Sequence, residues 1–290
     1  MKKKKIIIGS RGSKLALIYA ERAKQELIKI LGIKNVEIKS IKTTGDTLKD
    51  VRLSEHGGKG LFCKTIEQEL LNNNIDIAVH ALKDMPVLET DGLLTNCFLE
   101  RNDPREILIS KEKKLLKDLM PGALIGTSSF RREFQIKGKR KDINCKLIRG
   151  NVDTRIKKLN DNLYDAIILS FAGIKSLGLN QNIAQVFSTS EIIPSAGQGV
   201  VALQCRKDDE DLIELMKKIN HQNTHECVKA ERNVLKILEG DCETAVGAFA
   251  KIDRNEIYLE AELFSLDGTE RFFFKSSKEI KMANELGIEV

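Results

Sequence analysis

The residue types that could do chemistry gather in a few short segments. Gly9-Ser10-Arg11-Gly12-Ser13, Gly126-Thr127-Ser128-Ser129-Phe130-Arg131-Arg132 and Arg149-Gly150-Asn151-Val152-Asp153-Thr154-Arg155 each set small or hydroxyl-bearing residues beside arginine. Hydroxyls and free amides at a helix start bind anions, and a planar guanidinium forks onto a carboxylate or phosphate. A fourth segment, His80-Ala81-Leu82-Lys83-Asp84-Met85-Pro86, brings a cation and a lone acid together. Taken singly, each segment reads more plainly as a helix cap with solvated arginines. Three recurrences, each after a strand pattern and before a helix pattern, reverse that preference and predict a polyanion held at many points. Leu238-Glu239-Gly240-Asp241-Cys242 adds a thiol on a glycine turn. A cysteine is more often a small buried hydrophobe, but a loop position lets an electrophile reach it.

Other motifs fail on inspection. Gly57-Gly58-Lys59-Gly60 resembles a Walker loop, yet Leu53 stands where the first glycine belongs and Gly60 where Ser or Thr is needed. Gly197-Gln198-Gly199-Val200-Val201-Ala202 fits the loose Gly-x-Gly-x-x-Ala pattern, but no strand run precedes it and Val200-Val201 predict a strand where a helix is required. His221 and His225 stand four apart; Asn223 with Glu226 forms a capping box that puts His221 outside the helix, so no metal is expected. The basic run 137–141 reads as a solvated face.

The elements that must position these residues alternate. Lys5-Ile6-Ile7-Ile8 is a short strand, and Leu15, Tyr19, Ala23, Leu27 and Ile30 mark one face of a helix over 13–31. Strands over 36–42, 75–79, 123–126, 145–148 and 165–169, with helical patterns such as 64–71 between them, predict parallel α/β units. The stretch 43–60 reads as a long loop, either a lid or disordered. After about residue 220 a helix over 224–238, strands over 245–252, 257–264 and 271–275, and a helix over 278–286 predict a small α+β domain.

Composition bounds the class. The 290 residues allow two or three domains, and 41% hydrophobic with 31% charged residues describes an ordinary soluble globular chain. A net charge of +6 with 5% aromatics and no Trp gives little for a stacking single-strand binder, so no nucleic acid is expected. The apolar run after the basic start stops at Gly9, too short for a signal peptide, and nothing approaches a membrane span. Six cysteines without a Cys-x-x-Cys pair fit reduced thiols in a cytoplasm.

Taken together, Arg11 with Ser13, the loop ending Gly57-Gly58-Lys59-Gly60, Asp76-Ile77-Ala78-Val79-His80 running into Lys83-Asp84-x-Pro86, Gly126-Thr127-Ser128-Ser129 with Arg131-Arg132, Arg149-Gly150-Asn151 with Arg155, Tyr164-Asp165-Ala166-Ile167, Pro194-x-x-Gly197-Gln198-Gly199 and the Cys242 loop resemble the porphobilinogen deaminase family over nearly the whole chain. The resemblance implies an α/β fold of two lobes like those of periplasmic binding proteins, at 1–99 plus 200–218 and at 104–194, with a third, small α+β domain at 222–290. It implies a monomeric enzyme that joins four porphobilinogen molecules head to tail, with loss of ammonia, into hydroxymethylbilane. It implies a dipyrromethane cofactor held by a thioether to Cys242, with Lys83, Asp84, Thr127, Ser128, Ser129, Arg131, Arg132 and Arg155 around it. Arg11, Ser13, Arg149 and Arg155 would hold substrate, Gly57, Gly58, Lys59 and Gly60 would belong to a lid, and no metal or nucleotide is implied.

The residues' own chemistry agrees. Each pyrrole carries an acetate and a propionate, so a growing chain is a ladder of carboxylates for these cations. Asp84 is the expected catalytic group, stabilising positive charge on ring nitrogens and shuttling protons. Cys242 needs only a thiolate attack on the electron-poor azafulvene left by loss of ammonia. Three positions depart from the family pattern: Ala81 where serine is common, Ser176 where an arginine is common (with Lys175 as a partial substitute), and Asp241 for a glycine. A non-catalytic two-lobed binder of carboxylates explains the arginines equally well, but leaves Cys242 and the Lys83-Asp84 pair without a role.

Overall fold

The computed structural model describes residues 5–32, 35–47, 60–240 and 244–290. Strand β1 (Ile6–Arg11) runs into α1 (Lys14–Leu31), where the Ser13 hydroxyl accepts from the Ala16 amide and Gly32, at φ 64°, closes the far end on Ile28 O. Tyr19, Ala23 and Leu27 lie on one helix face and pack over Ile6 and Ile8. β2 (Val36–Ile41), α2 (Thr44–Thr47), α3 (Lys64–Leu71), β3 (Ile77–Ala81) and β4 (Leu93–Phe98) follow. α2 is a single helical turn inside the stretch expected to be loop throughout.

The chain then crosses over to a second sheet. It contains β5 (Glu106–Ser110), β6 (Leu124–Gly126), β7 (Asn144–Lys146), β8 (Ala166–Ser170) and β9 (Gln185–Val186), with α4 (Phe130–Lys139), α5 (Val152–Asn160) and α6 (Phe171–Ser176) between strands. It returns through β10 (Val201–Arg206) and α7 (Glu210–Lys217) to the first sheet. The strand orders are β2-β1-β3-β10-β4 and β7-β6-β8-β5-β9. In each, three parallel strands are followed by one antiparallel strand, β10 or β5. The expectation of purely parallel units is therefore corrected. β5 and β10 each enter from the opposite lobe, so they arrive at the hinge end and run against their neighbours.

The two crossovers touch each other. Asn102 donates to Gly199 O from its amide nitrogen at 2.9 Å, and a Cβ on Gly199 would stand 2.5 Å from Asn102 O. With φ +80°, that position has room for glycine alone. The Gly-Gln-Gly segment is thus a crossing point, and the strand predicted after it is β10.

The third unit packs α8 (Gln222–Ile237) and α9 (Ala283–Glu289) on an antiparallel sheet of β11 (Val246–Asp253), β12 (Glu256–Phe264) and β13 (Arg271–Glu279). Two expectations shift here. The expected helix from 278 is still strand to Glu279, because Lys278 and Glu279 pair with Ile257 and Glu256. The cap of α8 is His221, whose Nδ1 accepts from the Thr224 amide, and not Asn223. No described helix is long and apolar enough to cross a membrane.

Candidate functional site

The parallel strands β1, β6 and β7 all end at the space between the two sheets, and the helices after them start there. A cleft of about 1130 Å³ lies at this edge, larger than the ~300–1,000 Å³ of common small-molecule sites. Among the described residues it is lined by ten Lys and Arg side chains against two acids, Asp84 and Asp153.

From the first sheet come Arg11, stacked 3.9 Å over the Phe62 ring, and Ser13, whose hydroxyl caps α1. β3 ends in a helical turn, Leu82–Asp84. Leu82 and Met85 enter the core while Lys83 and Asp84 face the cleft. The turn is held where Leu82 N donates to Val200 O and the Cys63 thiol donates to Asp84 O. Lys83 Nζ donates to Gln198 Oε1 at 3.4 Å. Burial, then the Arg132 charge, pulls its ammonium down to about 8. His80 does not line the cleft; it is buried in β3, and burial holds it neutral at about 4.

The second sheet supplies the densest charge. Ser129 caps α4 and accepts from the Arg132 amide, and the Ser128 hydroxyl donates to Ile148 O. Arg131 and Arg132 are buried and share one acid that sequence reasoning missed: Glu106, on β5, wholly buried. Arg131 donates to it at 2.5 Å, and Arg132 reaches its two oxygens at 3.0 and 2.9 Å. The two guanidiniums overcome the burial penalty and hold Glu106 at about 2. Two cations on one acid, in the first turn of a helix whose dipole already favours anions there, leave a net positive wall.

The turn before α5 adds Arg149, Gly150 and Asn151 to the lining, and α5 itself adds Arg155. Arg155 Nε donates to Gly150 O at 2.7 Å. Burial first, then Arg132 and Arg149, pull it down to about 10. Across the mouth, Lys14 pairs with Asp153 at 3.1 Å; Tyr19, buried off the lining, has its hydroxyl pushed up to about 12 by burial and then by Asp84.

The cleft thus brings together Arg11, Ser13, Lys83, Asp84, Ser128, Ser129, Arg131, Arg132, Arg149, Arg155 and Gly60. Thr127 is not part of the lining: it is buried behind it, its hydroxyl accepting from the Ser129 amide. Lys175 is also off the lining; it is exposed and acts on Asp103. Cys242, Asp241, Gly57, Gly58 and Lys59 lie outside the described residues, while Leu235 and Thr244, on either side of the cysteine loop, line the cleft. Arg232 on α8, also unforeseen, lines it too and donates to Pro86 O and Val87 O. Its place in an ordinary helical pattern held no sequence signal; Glu106 had a weak one, an acid heading an apolar strand.

This donor set tests whether a polycarboxylate cofactor fits. Lys83 and Arg155 are each pulled down in part by other cations, so the cleft carries positive charge that its own acids do not neutralise. A bound carboxylate would relieve that repulsion, and the residues present fit such a group.

The fold and site define a two-lobed α/β protein with a cationic cleft and a third small domain that lines part of it. Residues 6–214 match the family model described as "Porphobilinogen deaminase, dipyromethane cofactor binding domain", and residues 225–290 match "Porphobilinogen deaminase, C-terminal domain". A curated relative named porphobilinogen deaminase, from Oceanobacillus iheyensis, is 45% identical over 268 residues, covering 92% of this chain and 86% of that protein. Another of the same name, from Chloroherpeton thalassium, is 41% identical over 292 residues, covering 99% and 93%. Among solved structures, the periplasmic VFT2 domain of Bordetella pertussis BvgS is similar with TM-score 0.46 and 11% identity, covering 74% of this chain and 86% of that one. The chain belongs to the porphobilinogen deaminase family.

Proposed function

We propose that this chain is a hydroxymethylbilane synthase, joining four porphobilinogen molecules head to tail with release of ammonia, in porphyrin biosynthesis. The observation that carries the reading is the cleft itself: among the described residues, ten cations from two lobes and a third domain surround one acid-bearing turn. A pyrrole with two carboxylates needs cations at both ends and a carboxylate near its ring nitrogen.

A dipyrromethane, attached through a thioether to Cys242, fits the cationic wall and supplies when bound the pyrrole carbon to which substrate is added. Arg131, Arg132 and Arg155 would hold its carboxylates, with Ser128 and Ser129 beside them at the α4 start; Thr127 supports that turn from behind. Arg11, Ser13 and Arg149 orient the incoming substrate's acids, and Arg155 serves both. Asp84 accepts the pyrrole N–H, stabilises the positive charge that develops as ammonia leaves, and takes the proton released on coupling. Lys83 sets the field beside it. Gly57, Gly58, Lys59 and Gly60 belong to a lid that excludes water. The lobes are residues 1–99 with 200–218 and residues 104–194, with 222–290 as the third domain. A cytoplasmic monomer, as the family resemblance implies, completes the reading, with the five described cysteines as free thiols.

Intact mass of the folded protein, together with ammonia release from porphobilinogen, tests the reading. The expected result is an excess of two condensed pyrrole units, absent in Cys242→Ser and retained in serine variants of Cys63, Cys97, Cys145, Cys205 and Cys227. A bare mass with no ammonia release would favour a binding protein; an adduct that survives Cys242→Ser would move the attachment elsewhere.

A further inference from the structure

Two consecutive residues of α8 reach in different directions. Glu231, wholly buried, spends both carboxylate oxygens on the hinge. Oε1 accepts from Arg101 Nη1 and the Ala250 amide at 2.7 Å each; Oε2 accepts from Arg101 Nη2 and the Gly197 amide at 2.8 Å each. Arg101 belongs to the outgoing crossover and Gly197 to the returning one, so this carboxylate clamps α8 to both. The next residue, Arg232, points to the cleft. Its Nη2 donates to Pro86 O at 2.5 Å and Val87 O at 3.0 Å, at the end of the turn that carries Asp84. Burial lowers the Arg232 pKa, a penalty that Glu89 partly offsets. A half-buried guanidinium committed to two backbone carbonyls gains a fixed geometry from them, while Glu89 offsets part of its charge.

Among the described residues four anchors hold the Asp84 turn: Val200 O takes the Leu82 amide, Gln198 Oε1 takes the Lys83 ammonium, Asp84 O takes the Cys63 thiol, and Arg232 takes Pro86 and Val87. Of these, Arg232 is the one from the third unit. We propose that Arg232 is a positioning residue for Asp84, fixing the carboxylate's height in the cleft against an α8 that Glu231 has locked to the hinge. The third domain therefore sets the geometry of the acid as well as contributing to the cleft wall. This rests on the reading of Asp84 given above.

The test uses protein carrying its cofactor, with Arg232→Met and Arg232→Lys alone and combined with Asp84→Asn. Adduct mass, thermal midpoint, KM and single-turnover ammonia release are measured on each. A misplacement of about 1 Å costs about 10²-fold, so Arg232→Met should lower kcat by about that factor while adduct and KM stay within about threefold. Arg232→Lys, able to reach one carbonyl, should recover about tenfold of the loss. On an Asp84→Asn background the Met substitution should add less than about threefold, because the group it positions is already disabled. Loss of the adduct, a raised KM at unchanged kcat, or losses that multiply on the Asp84→Asn background would overturn the proposal. Should the Met variant not fold, an Arg232→Lys variant with unchanged kcat would overturn it equally. Ammonia release by the unsubstituted protein, slowed in Asp84→Asn, stands for the reading beneath and is scored separately.

Discussion

Replacing Glu106 by Gln keeps size and part of the hydrogen bonding but takes from the buried Arg131 and Arg132 the acid they share, leaving Arg131 the more distant charge of Glu262. Glu106 is wholly buried and held at about 2 against an ordinary 4.5. At about 1.36 kcal/mol per pH unit, that difference is worth about 3 kcal/mol at neutral pH. Breaking a buried pair from one side costs about 3–5 kcal/mol, so the two routes agree, and the thermal midpoint should fall by about 10 °C. The pH dependence has a definite sign. The folded pKa is depressed, so the stabilisation is complete above 4.5 and is lost as pH falls towards 2. Denaturant unfolding of the two proteins from pH 7 to pH 3 should show a constant gap down to about pH 5.5 that narrows below 4.5. A gap under about 1 kcal/mol at pH 7, or one that widens on acidification, would refute the charge balance drawn for this wall.

Asp84→Asn, loaded with preformed cofactor, should still bind porphobilinogen but release ammonia about 10²–10⁴-fold more slowly in a single turnover; release within a few-fold of the unsubstituted enzyme would remove Asp84 from the chemistry. Lys83, pulled down to about 8, should be charged at pH 7 and largely neutral at pH 9. Asp84→Asn removes a charge that raises Lys83, so on that protein porphobilinogen affinity, measured by calorimetry, should weaken up to about tenfold as pH rises, with the fall setting in below pH 8, and Lys83→Arg should flatten the profile.

The anion-binding segments were legible in the amino-acid sequence because each is local. A strand, a small-residue turn and a capped helix occupy adjacent positions, so Ser13 before α1 and Ser129 before α4 declare themselves without tertiary information. The family resemblance rested on the same segments. What the sequence could not show were partners brought together from far along the chain. Glu106 meets Arg131 across 25 residues, Lys83 meets Gln198 across 115, and Arg232 meets Pro86 across 146. The antiparallel β5 and β10 were hidden for the same reason: strand direction follows from which lobe the chain has just left, not from its own pattern of side chains. Local sequence thus determined where charge could be offered to a ligand, since capping and alternation act over a few residues. Only the tertiary structure decided which charges are neutralised and which remain free, because burial and pairing depend on distances that the crossovers and α8 set.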